Sequence, residues 1–199
     1  MPRTGLTSEE LLEKALKIAM KNIRQNGFEK FRLIDVAREL KVSHAALYNH
    51  FPDKGAVLDL ISERWLQQID DTLDKITEQD LPPCQKIAVW FQEFHRLKLE
   101  KVRVDPELFK SFNMAVELNK PFVLQHLKHM RDQLLKMVQQ AIDSGELETP
   151  SIKAAVEILF ESTEAFHHPL LVLEHKDEER KELLQRTVEV VLAGLPALD

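Results

Sequence analysis

Between Ser8 and Gly194 the apolar residues recur every three or four positions, and prolines and glycines fall where those stripes stop. That punctuation cuts the chain into helix-sized pieces and leaves no alternating segment that reads as a strand. Only five of 199 residues are glycine, too few for the many tight turns of a sandwich or barrel. The first stripe runs from Ser8 to Asn26 through Leu11, Leu12, Ala15, Ile18, Ala19 and Ile23, with Thr7 or Ser8 available as a cap and Gly27 as the stop. A short amphipathic piece follows at Leu33–Leu40, then the turn Lys41-Val42-Ser43, a second short helix at 44–50, and a long one from Asp53 to about Gln79. Further helices are predicted near 84–103, 106–119, 121–144, 151–168 and 177–194. Pro106, Pro121 and Pro150 sit at helix starts, where a missing N–H costs little, and Pro169 should end or kink the eighth helix. The expected fold is all-α with about nine helices.

Several functional classes fall away on the same reading. No glycine-rich phosphate loop of the GxGxxG or GxxxxGK[ST] kind occurs, and the single Cys84 cannot build a disulfide framework or a cysteine zinc site. No apolar run reaches the ~18–20 residues of a membrane span. The expectation is therefore a cytoplasmic protein with no membrane partner and no cofactor. Nor does any nucleophile–base–orienter arrangement point to an enzyme. The net charge of −6 hides an asymmetry. Residues 1–54 carry ten Lys/Arg against seven Asp/Glu, whereas residues 55–199 carry seventeen against twenty-six. A basic head on an acidic body is the pattern of a DNA-binding module joined to a non-binding one.

Residues 33–51, LIDVARELKVSHAALYNHF, have the form of a helix-turn-helix. Val36 and Ala37 are small enough for a second helix to cross closely, Val42 plugs the turn, and Ser43 is placed to cap the second helix. Leu47 and Phe51 point inward, which leaves His44, Ala45, Ala46, Tyr48 and Asn49 facing out. The stretch GFEKFRLIDVARELKVSHAALYNHFPDKGAVLDLI, with the long helix before it, closely resembles the DNA-binding domain of the tetracycline-repressor (TetR) family. Gly27-Phe28, Asp35-Val36-Ala37, Val42-Ser43, Leu47 through Pro52 and Lys54 carry the match, over roughly residues 8–60.

The resemblance implies a three-helix DNA-binding domain over residues 1–54, joined by the fourth helix to a ligand-binding and dimerisation domain over 55–199. It implies a double-stranded operator as partner and a DNA contact set of Arg32, Leu33, Ser43, His44, Ala45, Ala46, Tyr48, Asn49, His50 and Lys54. Tyr48 and His50 resemble the family's phosphate-contacting rings, and Lys54 the lysine that opens the fourth helix. His44, Ala45, Ala46 and Asn49 stand where the family reads base edges, and Arg3 on an N-terminal arm is a further candidate. Two roles are open to Arg32, phosphate contact or pairing with Asp35 or Glu29, and His50 could serve the dipole of its own helix instead. Three departures stand out. Phe31-Arg32 replaces a small hydroxyl pair, Lys41 occupies a turn position often held by glycine, and His44 replaces a lysine or arginine.

For the body, the resemblance implies a cavity for a small-molecule effector. Trp90, Phe91, Phe94, His95, Phe109, Phe112, Met114, His126, Met130 and Phe166 are its expected lining, although an ordinary core accounts for most such side chains. Six of the eight histidines lie beyond residue 54. His126-x-x-His129 and Glu164-x-x-His167 raise a metal-sensing alternative, but a di-iron bundle needs two Glu-x-x-His helices and two further glutamates. His126 and His129 read instead as surface residues among Lys128 and Arg131. The segment Phe166-His167-His168-Pro169-Leu170-Leu171-Val172, with Asp105-Pro106-Glu107-Leu108-Phe109 and Met114-x-x-Glu117, resembles one branch of TetR-type C-terminal domains and places His168 at a kink. The eighth and ninth predicted helices carry broad apolar faces: Ala154, Ala155, Ile158, Leu159, Ala165 and Phe166 on one, Leu183, Leu184, Val188, Val190, Val191 and Leu192 on the other. In the family these helices form a homodimer interface. A DNA-independent small-molecule carrier is the competing class, and it leaves Tyr48, His50 and Lys54 without a task.

Overall fold

The computed structural model describes residues 6–195, and Arg3 lies outside them. All regular elements among the described residues are helical: α1 (Ser8–Asn26), α2 (Leu33–Leu40), α3 (His44–Tyr48), α4 (Lys54–Thr77), α5 (Pro83–Val104), α6 (Pro106–Glu117), α7 (Pro121–Asp143), α8 (Ile152–Ser162), a 3-10 turn (Glu164–Phe166), α9 (Pro169–Glu174) and α10 (Lys181–Gly194). Most boundaries follow local chemistry. Thr7 closes a capping box with Glu10, each side chain accepting from the other's backbone N–H. Gly27 takes φ 78° at the end of α1. Pro106 and Pro121 open α6 and α7 at positions where no N–H is required.

One expected helix divides. The predicted helix over 151–168 ends at Ser162, and Pro169 opens a separate α9. Thr163 is fully buried and turns its hydroxyl onto the Leu159 carbonyl at 2.8 Å, competing with the backbone ladder. His168 must then be extended ahead of proline, at φ −65° and ψ 129°. The result is ten α-helices among the described residues.

The contacts separate two compact units, residues up to 65 with 105–119, and 66–104 with the remainder from 120. The sequence reading draws its boundary after residue 54; packing divides the chain elsewhere because the first part of α4 and all of α6 join the α1–α3 core. Leu108 is buried among Ile23, Phe31, Leu47 and Phe51. The Trp65 ring meets Phe109 and Phe112 edge-on at 6.0 and 4.8 Å. Arg24 near the end of α1 donates to the buried Asp105 ahead of α6, with Nη2 at 2.9 Å from Oδ2. Arg64 pairs with Glu13.

In the second unit α5 packs on α7 and α10, and α7 on α8. Trp90, Phe91, Phe94, Met130, Leu134 and Met137 are all nearly inaccessible. Polar groups run through this core. The Trp90 indole donates to Gln133, whose amide donates to Asp74, and His126 bonds Asp70. His95 bonds the Phe166 carbonyl and His167 that of Phe160. Burial holds all three of these imidazoles below their ordinary value of 6.5, His167 down to about 3.

Lys41 sits at φ 56°, where a β-carbon is unfavourable, so Lys41→Gly should raise stability by about 1 kcal/mol in denaturant melts; a loss would show that the lysine side chain makes a compensating contact. The three neutral imidazoles must bind protons on unfolding below 6.5, so their contribution is complete above that value and is lost as pH falls toward each folded value, for His167 by about 1.4 kcal/mol per pH unit. The depressed carboxylates Glu10, Glu13, Asp35, Glu78 and Glu178 act only lower, below 4.5. The melting temperature should therefore fall by several degrees between pH 7 and 5; a flat profile there contradicts buried, neutral histidines.

Candidate nucleic-acid interface

The turn between α2 and α3 orients everything on the exposed face. Lys41 is left-handed, and its N–H and that of Val42 close back on Arg38 and Ala37. Ser43 then caps α3, its hydroxyl accepting from the Ala46 N–H at 3.2 Å. Leu47 and Phe51 are buried, as the periodicity predicts, while His44, Ala45, Tyr48 and Asn49 are exposed and Ala46 and His50 half-buried. The His44 and Tyr48 rings stand 4.2 Å apart. Asp53 caps the following helix through the Ala56 N–H, and the Lys54 ammonium lies 4.2 Å over the Phe28 ring.

Two residues of the expected DNA set depart from that face or are otherwise engaged. Leu33 is buried in the core of the first unit, so its side chain is withheld from solvent, as the apolar stripe of α2 requires. Arg32 lies on the exposed surface but holds Asp35 through Nε at 3.0 Å and Nη2 at 3.4 Å; Arg38 holds the same carboxylate. Hydrogen bonding from Arg32 leads the effects that lower the Asp35 pKa. Both arginines are about seventy per cent exposed, so solvent screens these pairs and exchange for a phosphate costs little.

The α2–α3 turn and the start of α1 also share an open groove. Thr7, Ser8, Leu11, Lys41, Ser43, Asn49 and His50 line it, and Ser8 Oγ lies 3.4 Å from His50 Nε2. That contact ties His50 to α1. Lys41 entered the sequence reading for its backbone alone, and its side chain is exposed here. The signal was its position one residue outside the α2 stripe.

The expected effector lining is divided between the two units. Phe109, Phe112 and Met114 belong to the first unit, where the two phenylalanines are core and Met114 is exposed, because α6 packs there. Trp90, Phe91, Phe94, Met130 and Phe166 are all buried in the second unit, and three of them are closely packed rings, Trp90 lying 4.9 Å from Phe91 and 5.6 Å from Phe94. One groove of that unit, of about 590 Å³, lies on the other side of α5, between α4 and the start of α10. Thr72, Lys75, Gln92, Arg96 and Arg103 line it, and His95 is the one expected residue that reaches it.

His126 is not a surface residue. It is 3% exposed and bonds Asp70, while His129 is partly exposed and bonds Asp74 at 3.0 Å. The spacing of four on α4 matches the spacing of three on α7, which brings two carboxylates opposite two imidazoles. Among the described residues no group of three His, Cys, Asp or Glu side chains could hold a metal ion, and no described helix is long and apolar enough to cross a membrane.

Comparison with known proteins bears on the same two parts of the chain. Residues 15–61 match the model of the tetR family of bacterial regulatory proteins, and residues 83–188 match the tetracyclin repressor-like C-terminal domain. No curated protein matches the chain. Among solved structures, the TetR/AcrR-family transcriptional regulator of Thermobifida fusca YX-ER1 superposes with a TM-score of 0.67 at 16% identity, covering 92% of this chain and 97% of its own. PfmR of Thermus thermophilus gives 0.62 at 19%, with 93% of this chain and 98% of its own covered. The Thermus thermophilus FadR repressor in complex with lauroyl-CoA gives 0.60 at 18%, with 92% of each chain covered. A capped α3 with an exposed polar face, the helical body and both family matches lead to one conclusion: the chain belongs to the TetR family of transcriptional regulators.

Proposed function

We propose that this regulator is a homodimeric repressor that leaves its operator when a small molecule binds the second unit. The observation that carries the reading is the split of α3 into a buried side, Leu47, and an exposed polar side, His44, Tyr48 and Asn49, with Lys54 next to it. Such a helix fits a major groove, with Tyr48, His50 and Lys54 at phosphates and His44, Ala45, Ala46 and Asn49 over base edges. The basic balance of residues 1–54 supports an anionic partner.

Dimerisation fits the leftover apolar surface of the last helices. On α10, Leu184 and Val188 fill the unit's own core, whereas Leu183 and Val190 are 53% and 66% exposed, two turns apart on one face. Ala154 is exposed and Ile158 half-buried on α8. A two-fold pair through these faces would present two copies of α3 to successive turns of DNA. α4 supplies residues to both units, which makes it a covalent route by which a ligand biases the spacing of the recognition helices. A tenfold preference of the ligand for the non-DNA state is worth about 1.4 kcal/mol per site.

Fluorescence anisotropy on duplexes from the protein's own upstream region tests the DNA reading. Lys54→Ala should reduce the log–log salt slope by about 0.9, and Tyr48→Ala should weaken binding roughly tenfold. Unchanged affinity in both would remove these residues from the interface. Sedimentation of Leu183→Glu with Val190→Glu should show a monomer; a persistent dimer would place the interface elsewhere.

A further inference from the structure

The groove between α4, α5 and the start of α10 carries chemistry that DNA binding does not use. His95, Leu99 and Arg103 follow one another at intervals of four along α5, and all three line it. One face of the helix therefore presents an imidazole, an alkyl side chain and a guanidinium in a row about 12 Å long. His95 is only 7% exposed, and its Nδ1–H donates to the Phe166 carbonyl at 2.8 Å. A carbonyl can only accept, so this bond fixes the tautomer and leaves Nε2 with a lone pair. Burial holds the imidazole below its ordinary 6.5, which keeps it neutral at pH 7 and Nε2 an acceptor. That nitrogen has no hydrogen-bond partner among the described residues. An unpaired acceptor on a nearly buried ring in the wall of a groove marks a place where a donor belongs.

The far end of the row is positive. Arg103 is oriented by its Nε, which donates to the Lys176 carbonyl at 2.9 Å, and its two Nη groups have no partner among the described residues. Lys75 enters the groove from α4 and Lys181 from α10. Arg96 is committed to its own helix, holding Glu93 through both carboxylate oxygens and Glu100 through one. That pairing neutralises Glu93 and leaves Glu179 as the other carboxylate of the lining. The lining thus carries four cations against two carboxylates, in a stretch, residues 55–199, where acidic residues outnumber basic ones twenty-six to seventeen. Ile76, Val89 and Leu99 supply apolar wall between the charges. A cation is repelled by such a groove. A purely apolar guest leaves both His95 and Arg103 unpaired, and an inorganic anion makes no use of the acceptor or the wall. A guest with a hydroxyl at one end, an apolar body and an anionic group at the other answers all three.

We propose that this groove takes a hydroxylated apolar acid, its hydroxyl donating to His95 Nε2, its body lying along Leu99 and its carboxylate held by Arg103. The proposal rests on the reading of the second unit as the effector-binding module, and it names the chemistry and the seat of that effector. It also supplies a route outward. His95 is bonded to a carbonyl between α8 and α9, and Arg103 to one between α9 and α10. A guest that draws on these two side chains acts on the segments that join α8 to α10, the helices assigned to dimerisation.

Titration calorimetry of the full chain at pH 7.5 compares 10-hydroxydecanoate, whose extended chain covers the length of the row, with decanoate and 1,10-decanediol. The hydroxy acid should bind at least tenfold more tightly than either. His95→Asn, which keeps a donor for the Phe166 carbonyl and deletes Nε2, should remove its advantage over decanoate and leave its advantage over the diol. Arg103→Gln should do the converse, and because Arg103 is exposed this variant tests the proposal even where melting curves show His95→Asn unfolded. Equal affinity for the three compounds, no binding of the hydroxy acid at millimolar concentration, or both advantages unchanged in Arg103→Gln overturns the proposal. Operator release is followed in parallel by anisotropy. A hydroxy acid that binds as described without releasing DNA supports the groove and removes the effector reading, whereas release by all three compounds at equal affinity does the reverse.

Discussion

The DNA-facing half of the molecule depends on three consecutive residues. Lys41 adopts the left-handed conformation, Val42 fills the angle between α2 and α3, and Ser43 caps α3. With that turn set, Leu47 and Phe51 are committed to the core and the opposite side of α3 to solvent. A one-residue change in register would rotate those faces by about 100° and take Leu47 out of the core. The left-handed lysine costs about 1 kcal/mol relative to glycine, and buried Leu47 and Phe51 more than offset it.

The two units solve burial differently. The first packs a nearly pure hydrocarbon core, pairs its buried Asp105 with the half-exposed Arg24, and leaves the Arg64–Glu13 pair at its surface. The second threads Asp70, Lys98, Gln133 and three histidines through its interior. Buried polar networks are costly unless satisfied, and they are poor devices for stability alone. Their concentration in the unit assigned to ligand binding is the physical asymmetry on which a ligand-responsive reading turns.

Much of this was legible in the chain before folding. Pro106 and Pro121 mark the starts of α6 and α7, Thr7 and Gly27 bracket α1, and the residues from Gly27 to Lys54 disclose the helix-turn-helix. What escaped was non-local. Helical periodicity reports that Phe109 and Phe112 are buried, but not that the Trp65 ring is what they meet. Nor does an aromatic stripe distinguish a wall from a close-packed core, which is how Trp90 and Phe91 come to touch each other rather than a cavity. His126 looked exposed because its sequence neighbours Lys128 and Arg131 are polar. Its burial follows from Asp70, fifty-six residues earlier on α4. The end of α8 lay in a local competition, the Thr163 hydroxyl against its own backbone, that no spacing rule signals.

The central claim is that α3 reads DNA as one of a two-fold pair. Selection of bound sequences from a randomised duplex library by the purified protein tests it most directly. The account predicts enrichment of an inverted repeat with half-sites spaced about one helical turn, and loss of base preference within a half-site on His44→Ala with Asn49→Ala. Enrichment of no sequence, or of one with the same preference in that double variant, would contradict it.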